Sequence, residues 1–461
     1  MNGKGAWMTM ALLVREKSFY KSFISLTLII ALQNVITIGV NLSDNLILGG
    51  YSEIALSAAS LANQIQFIAT FLMIGCSQSV VILASRLWGA RQLTIIRKVI
   101  GVGMAFSLAI GVVTCVTVIG FSTELLSLLT TDELVIQEGA KFLSIVSFSF
   151  VCFAITTVLL ASLRSMEIVK IGLFVSLCTL VINVSLNYLL VYGQFGLPAM
   201  GISGSATATL ASRIIECIIV IVYVLKNNQS LGLTIRNFLK LDTSILKQYT
   251  QIAFPILISS LSWAGAMAVQ SGILGHMGTS AIAANSVATT IFQFVTVITY
   301  ASASSTAVIM GKTVGEGHLA KVKAYSRTLQ ILYLGIGLVT AIVLFVTKDH
   351  VLFMYAISDE AKTLALTFMT ILSITVIGTS YEMPALSGIL QSGGDTKFVM
   401  YNDFIFMWLL ILPASLLAAF VFNYSPVIIF ILLKSDQILK CFVALVKVNR
   451  YKWIKVMADQ P

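Results

Sequence analysis

The sequence predicts an all-α polytopic membrane protein, with twelve transmembrane helices in two six-helix lobes related by a parallel internal repeat. Three observations support this prediction. Hydrophobic residues make up 58% of the 461 residues and charged residues only 10%, and the mean hydropathy of +0.96 lies far above that of soluble domains. Basic residues concentrate at alternate junctions between apolar runs, and the two halves of the chain align with each other.

Twelve apolar runs are long enough to cross a membrane. A bilayer core of about 30 Å needs roughly 20 helical residues. The first run is too long for the apolar region of a signal peptide, so no cleaved signal peptide is expected. The predicted spans are 22–48, 54–87, 98–121, 135–162, 168–193, 199–225, 252–275, 280–311, 325–347, 360–390, 398–422 and 426–447.

Lys and Arg residues predict the orientation of these spans, because basic residues concentrate in cytoplasmic loops. Of the 29 basic residues, only Lys141, Lys348 and Lys362 fall at odd-numbered junctions. Arg213 lies within a span, and the remainder fall before the first span, at even-numbered junctions or in the C-terminal segment 434–455. We therefore expect a multi-pass plasma-membrane protein with both termini in the cytoplasm. The net charge of +10 fits this topology and contact with anionic lipid, and it requires no nucleic acid.

An internal repeat predicts the architecture. At an offset of 226 residues, "ILGGYSEIALSAAS" from Ile47 aligns with "ILGHMGTSAIAANS" from Ile273, and "RLWGARQL" from Arg86 aligns with "KTVGEGHL" from Lys312. Each half has six spans, so both halves enter the membrane in the same sense and the repeat is parallel. The predicted domains are an N-lobe at 1–225, a cytoplasmic interlobe linker at 226–251 and a C-lobe at 252–461.

Polar side chains at helical spacing predict a cavity. In the first span, polar residues recur at intervals of 3, 4 and 3 residues and share one helix face. A similar stripe in the second span has its counterpart, at the same offset, in the eighth. Such residues often join neighbouring helices, but large amides in both halves favour a water-accessible cavity between the lobes. The predicted cavity residues are Asn34, Thr37, Asn41, Asn63, Phe67, Gln270, Gln293, Tyr300 and Glu382.

Charged residues inside the spans are few and therefore informative. Asp44 lies in the first span, and its counterpart in the repeat is the neutral Gln270. Its position near the outer end of the span leaves two interpretations open, an interfacial group or a functional carboxylate. Arg213 and Glu216 lie three residues apart, which predicts a structural ion pair. Glu382 in the tenth span is a second functional candidate.

Four segments, "SDNLILGGYSEIALSAAS", "ASRLWGARQ", "VINVSLNYLLVYGQFGLPAMGISGSATAT" and "LQSGGDT", resemble the multidrug and toxic compound extrusion (MATE) transporters. The resemblance covers essentially the whole chain. It implies two six-helix lobes around a central cavity, and export of organic cations in exchange for H⁺ or Na⁺ without a further cofactor.

The resemblance also implies an ion-coupling site. The first-helix acidic residue of the family falls on Asp44, and its fifth-helix pair falls on Asn183 and Asn187. Its sixth-helix threonine falls on Thr209. Many members have Asp where Asn187 stands, so this chain has one negative charge fewer at the site. One branch has an acidic residue in the seventh helix, where this chain has Trp263.

Proton coupling is the favoured expectation for this site. A carboxylate among apolar residues is costly in its charged form, so Asp44 is expected to take up a proton or another cation. Oxygen atoms of Asn183, Asn187 and Thr209 could instead hold Na⁺, and no other metal ion is expected. Because Asn187 is neutral, we expect cation binding to be weakened more than protonation.

Two other functions are less favoured. A flippase for lipid-linked precursors would need several deep basic residues for its anionic substrate, and Arg213 is the only one that the count of basic residues places deep in a span. An intramembrane enzyme would need a nucleophile with a base, or metal ligands, yet the three His residues fall in loops and no HExxH, GxSxG or Walker A motif occurs. We therefore expect a monomeric secondary transporter, not an enzyme, whose partners are small cationic molecules and membrane lipid.

Overall fold

The computed structural model describes residues 13–196, 198–226, 242–353, 355 and 357–455, and these ranges contain helices and no β-strand. The helices of the N-terminal half are α1 (Lys17–Tyr51), α2 (Glu53–Gly89), α3 (Leu93–Gly120), α4 (Ser122–Ser127), α5 (Glu133–Val146), α6 (Ser149–Ser165), α7 (Lys170–Tyr192) and α8 (Ile202–Lys226). Those of the C-terminal half are α9 (Thr243–Gly275), α10 (Thr279–Gly315), α11 (Leu319–Leu352), α12 (Asp359–Met383), α13 (Thr396–Phe404), α14 (Leu412–Leu416), α15 (Pro426–Lys434) and α16 (Asp436–Asn449).

These helices correspond to the twelve predicted spans. In the described part of the chain, ten helical segments are long and apolar enough to cross a membrane, and α5 and α6, bent by 48°, form an eleventh. Helices α15 and α16 divide the twelfth predicted span at Ser435. The predicted fold class of a polytopic all-α membrane protein is therefore confirmed.

The tenth span changes its helical form at a proline. Pro384 lacks a backbone N–H and cannot continue the regular hydrogen-bond pattern of α12. The chain responds with a π-helical segment at Pro384–Leu390, a wider helix that is frequent at functional sites. Glu382 therefore lies at the end of α12, directly before this irregular segment.

The chain forms two compact units. The first, which we call the N-unit, contains the described residues within Leu32–Ala84 and Gln92–Leu261. The second, the C-unit, contains the described residues within Met1–Ala31, Ser85–Arg91 and Ser262–Pro461. Residues 227–241 of the predicted linker lie outside the described residues, and the predicted lobe boundaries stay a prediction.

Each unit has its own apolar core. In the N-unit, Ala58 of α2, Leu143 of α5 and Phe150 of α6 belong to one buried cluster. In the C-unit, the rings of Phe368 on α12 and Phe430 on α15 stack with their centroids 4.0 Å apart inside another. Burial of these side chains packs the helices closely against one another. Close packing is the main source of helix association in a membrane, because the lipid is as apolar as the side chains.

A reciprocal glycine contact within the C-unit reflects the internal repeat. Gly89 on α2 and Gly315 on α10 are equivalent at the offset of 226 residues. A Cβ atom on Gly89 would overlap the carbonyl oxygen of Lys312, and a Cβ atom on Gly315 would overlap the carbonyl oxygen of Arg86. The same contact thus occurs twice with the roles exchanged, and only glycine allows the two backbones to approach so closely.

Candidate functional site

The first candidate site lies in the N-unit, where α1, α7 and α8 bring polar side chains together. Asn187 on α7 donates a hydrogen bond from Nδ2 to Oδ1 of Asp44 on α1, with the two atoms 2.5 Å apart. Asn187 is fully buried, while Asp44 is partly exposed. The carboxylate therefore faces a protein donor on one side and retains access on another, as a group that exchanges protons or cations requires.

A second amide extends this site by one helical turn. Asn183 lies four residues before Asn187 on the same face of α7, and its Nδ2 donates to Thr209 Oγ1 on α8 at 3.4 Å. The structure thus links the four residues of the predicted ion-coupling site in two contacts, Asp44 with Asn187 and Asn183 with Thr209.

Three buried oxygen atoms of this site have no hydrogen-bond donor among the described residues. They are the Oδ1 atoms of Asn183 and Asn187, and Oγ of Ser205, which lies one turn before Thr209 on α8. Buried polar atoms are normally paired, so unpaired ones call for an explanation. Carbonyl, hydroxyl and carboxylate oxygens are the ligands of hard cations. Sequence reasoning missed Ser205, although its i, i+4 spacing to Thr209 could have indicated it.

The predicted ion pair follows this site toward the C-terminal end of α8. Arg213 Nη1 and Glu216 Oε2 are 2.7 Å apart, with side chains 27% and 9% exposed. The guanidinium group also lies over the ring of Phe153 on α6, 4.9 Å from its centroid. Arg213 follows Thr209 by four residues, and its charge acts on the Asp44 carboxylate. The pair therefore belongs to the electrostatic surroundings of Asp44.

The predicted cavity residues of the N-unit are accessible and bonded within their own helices. Thr37 Oγ1 donates to the Gln33 carbonyl oxygen at 3.1 Å, and Asn63 Oδ1 accepts from Gln66 Nε2 at 3.1 Å. Neither of these bonds joins two helices, so they do not support the interpretation that the stripe holds neighbouring helices together. Of the five N-unit residues, Thr37, Asn41, Asn63 and Phe67 are exposed and Asn34 is partly buried.

In the C-unit, the repeat equivalent of Asp44 has a different partner. Gln270 on α9 is buried, donates from Nε2 to Met407 Sδ at 3.3 Å and accepts from Lys434 Nζ at 3.3 Å. Two further predicted cavity residues of the C-unit, Gln293 and Tyr300, lie on α10 and are exposed. The N-unit thus pairs a carboxylate with an amide, whereas the C-unit pairs an amide with a lysine.

A cluster of charged residues in the C-unit was missed by the sequence interpretation. Lys440 Nζ on α16 lies 3.3 Å from Asp403 Oδ1 and 3.5 Å from Asp436 Oδ2, and its side chain is 6% exposed. Glu382 lies within electrostatic range of these three charges. The sequence did contain a signal for this cluster, because Asp436 and Lys440 lie four residues apart inside an apolar span.

Two assignments of basic residues need correction. Lys434 and Lys440 were counted with the cytoplasmic C-terminal segment, but they lie on α15 and α16, inside the twelfth predicted span. Arg213 is therefore not the only basic residue deep in a span. The count was wrong at these positions because it treated 434–455 as one tail, although both lysines are bonded to groups inside the C-unit.

Comparison with known proteins identifies the family. A family model described as MatE matches residues 30–189 and 255–417, one segment in each half of the chain. The chain belongs to the MatE family. The predicted membership of the MATE transporters is thereby confirmed, and with it the expectation that this is a multi-pass membrane protein.

Relatives of this MatE-family chain match over most of their length. It is 25% identical over 407 residues to the uncharacterized transporter YisQ of Bacillus subtilis, covering 87% of this chain and 88% of YisQ. It is 25% identical over 369 residues to the probable multidrug resistance protein YoeA of Bacillus subtilis, covering 78% of each. A structure of a mutant of the Vibrio cholerae MATE transporter VcmN matches with a TM-score of 0.86 at 18% identity, covering 94% of this chain and 97% of that one. This last likeness shows the fold, while function depends on the site.

Proposed function

We propose that this chain is a secondary active multidrug efflux antiporter. It exports lipophilic organic cations from the cytoplasm in exchange for protons, by alternating access, with Asp44 as the group for which proton and substrate compete. The observation that carries this proposal is the contact of Asp44 with Asn187 beside Asn183 and Thr209. Multidrug resistance appears in the name of the relative YoeA, which supports the substrate class.

The chemistry of the exchange follows from the cost of charge inside a membrane. An ionised Asp44 is stabilised by the N–H of Asn187, while burial in low dielectric opposes the charge. Binding of a proton removes that charge and makes the carboxyl group a poorer partner for a cation. Release of the proton restores the charge and allows an organic cation to bind. Proton and substrate therefore exclude each other at one group, which couples their movements.

Sodium is the alternative coupling ion. The unpaired oxygens of Asn183, Asn187 and Ser205 are suitable ligands for it. The neutral side chain of Asn187 supports the proton instead, because an amide attracts a cation less strongly than a carboxylate at the same position would. The single carboxylate at this site also leaves a sodium ion with fewer charged ligands than two would supply.

The two lysines in the twelfth span do not favour the lipid-linked precursor flippase. Lys440 is compensated by two aspartates, and Lys434 lies within electrostatic range of Asp436. An anionic headgroup would have to displace these carboxylates. Exposed aromatic rings such as Phe67 and Tyr300 instead suit organic cations, which bind the faces of aromatic rings.

The remaining parts of the proposal concern cellular context. We place the chain in the plasma membrane with both termini in the cytoplasm, because basic residues dominate the even-numbered junctions. It acts as a monomer, contacts anionic lipid and needs no cofactor other than the coupling ion. It performs transport and no covalent chemistry.

Transport by purified protein in proteoliposomes tests this function. We expect an imposed pH gradient to drive export of a cationic dye, and an equal sodium gradient at constant pH to drive much less. An anionic dye of similar size should move at the background rate of protein-free vesicles. Equal rates for the two dyes would contradict the proposed substrate class, and export driven only by sodium would contradict the proposed coupling ion.

A further inference from the structure

The Arg213–Glu216 pair lies on the same helix as Thr209 of the candidate site. Thr209 and Arg213 are four residues apart on α8, so they share a helix face. Thr209 accepts the hydrogen bond from Asn183, and Asn183 is one turn from Asn187, the partner of Asp44. Asp44, the two amides, Thr209 and Arg213 thus form one continuous polar path along α7 and α8.

The charges along this path can be counted. Away from the helix ends, the charged residues of α7, α8 and the N-unit part of α1 are Asp44, Arg213 and Glu216. Glu216 is held by Arg213 at 2.7 Å, so these two charges cancel. The net charge of the path is therefore one negative charge when Asp44 is ionised, and zero when Asp44 carries a proton.

From this arrangement we infer that Arg213 is a specificity-determining residue, which together with Glu216 sets the ion-coupling site to a single negative charge and so selects monovalent cations over divalent ones. The inference rests on the proposed function of Asp44 and adds the charge class of the substrate. A monocation balances the site completely. A dication would leave one positive charge unbalanced in low dielectric.

The two members of the pair have opposite effects on this balance. Removing the charge of Arg213 leaves Asp44 and Glu216, which together suit a dication. Removing the charge of Glu216 leaves Arg213 free to neutralise Asp44, which suits no cation. A purely structural pair would behave differently, because loss of either partner would damage the same packing and lower all affinities alike.

Binding to purified full-length protein tests the inference, with tetraphenylphosphonium as the monocation and methyl viologen as the dication. We expect wild-type protein to prefer the monocation. Arg213→Gln should raise the affinity for the dication about tenfold relative to the affinity for the monocation, the scale of one unit charge at about 10 Å in an effective dielectric of about 20. Glu216→Gln should lower the affinity for the monocation about tenfold and the affinity for the dication about a hundredfold, because the dication carries twice the charge.

Matched variants separate charge from packing. Arg213→Lys keeps the charge and should keep the wild-type ratio of the two affinities. The double variant Arg213→Gln with Glu216→Gln restores the net charge and should restore that ratio within about twofold. Should the single variants fail to fold, Thr209→Asp leaves the ion pair intact, adds one negative charge and should show the same gain for the dication.

Two outcomes would overturn the inference. One is that Arg213→Gln and Glu216→Gln change the affinities in the same direction. The other is that neither Arg213→Gln nor Thr209→Asp changes the ratio of dication to monocation affinity. Asp44→Asn separates this inference from the proposed function. Normal binding of the monocation by Asp44→Asn would refute the proposed function itself. If Asp44→Asn loses binding but Arg213→Gln keeps the wild-type ratio of dication to monocation affinity, only the role of Arg213 is refuted.

Discussion

Asp44 and Gln270 occupy equivalent positions in the two halves of the chain, yet their surroundings differ in sign. Asp44 brings a negative charge to α1 and accepts a hydrogen bond from the neutral Asn187. Gln270 is neutral and accepts from the positive Lys434. Duplication thus preserved the helices and their polar stripes, while the chemistry at the equivalent positions diverged.

The difference indicates how the two halves divide their tasks. The N-unit leaves one carboxylate with partial exposure and a single neutral donor, so its charge can change with bound protons or cations. In the C-unit, Lys440 is held by two aspartates and is almost fully buried. Buried ion pairs of this kind are costly to break. We interpret the first as an exchange site and the second as a fixed element of the helix bundle.

Loss of the Asp44 charge should have the largest effect on transport. Asp44→Asn preserves size and most hydrogen bonding, so the protein should fold and reach the membrane, but export of a cationic dye driven by a pH gradient should fall to the rate of protein-free vesicles. Dye export in proteoliposomes measures this, with the amount of inserted protein as control. Export close to wild type would show that Asp44 is an interfacial group, and the coupling role would pass to Glu382.

Loss of Lys440 should mainly reduce stability. Lys440→Met removes the cation that faces the buried Asp436 and the partly exposed Asp403, and removing one partner of a buried pair typically costs about 3–5 kcal/mol. Thermal unfolding of the purified protein should show a clear decrease in midpoint. Lys447→Met is the matched control, because Lys447 is more exposed and its pair with Asp395 at 2.9 Å should contribute at most about 1 kcal/mol. Equal midpoints for Lys440→Met and wild type would contradict a stabilising role.

A second carboxylate should move the N-unit site toward sodium. Asn187→Asp places a negative charge beside Asp44, among oxygens of Asn183 and Ser205 that have no donor in the described residues. We expect export driven by a sodium gradient to rise about tenfold, since one added charge strengthens cation binding on that scale. Asn183→Ala in the same background should remove the gain. Unchanged sodium-driven export in Asn187→Asp would mean that these oxygens do not bind the ion.

The smallest effect is expected at the neutral counterpart. Gln270→Ala removes the hydrogen bonds to Met407 and to Lys434, the second worth about 1.5–3 kcal/mol because its donor is charged, and it removes no charge. Export of the cationic dye should stay within about twofold of wild type. A loss as severe as that of Asp44→Asn would show that the two halves share the coupling task, and the asymmetry between them would be functionally irrelevant.

Much of the fold was predictable because its determinants are local. Composition within windows of roughly 20 residues identifies spans, and helical spacing identifies residues that share a face, such as Asn183 with Asn187 and Arg213 with Glu216. The site was predictable only through resemblance to the MATE family, which brought Asp44 and Asn187 together before any contact was known. Lys434 and Lys440 were misassigned because the count of basic residues treats a segment as a unit and ignores what each side chain contacts.

The sequence by itself determined the membrane environment, the twelve spans, the duplicated halves and the single carboxylate of the first span. Only the tertiary structure decided which polar groups meet: Asp44 with Asn187, 143 residues apart, Gln270 with Lys434, 164 apart, and Lys440 with Asp403. The physical reason lies in helix geometry. Side chains of successive residues point about 100° apart around the helix axis, so a contact between two helices depends on the rotation of each about its own axis. That rotation is set by packing against neighbouring helices, which no local pattern in the chain encodes.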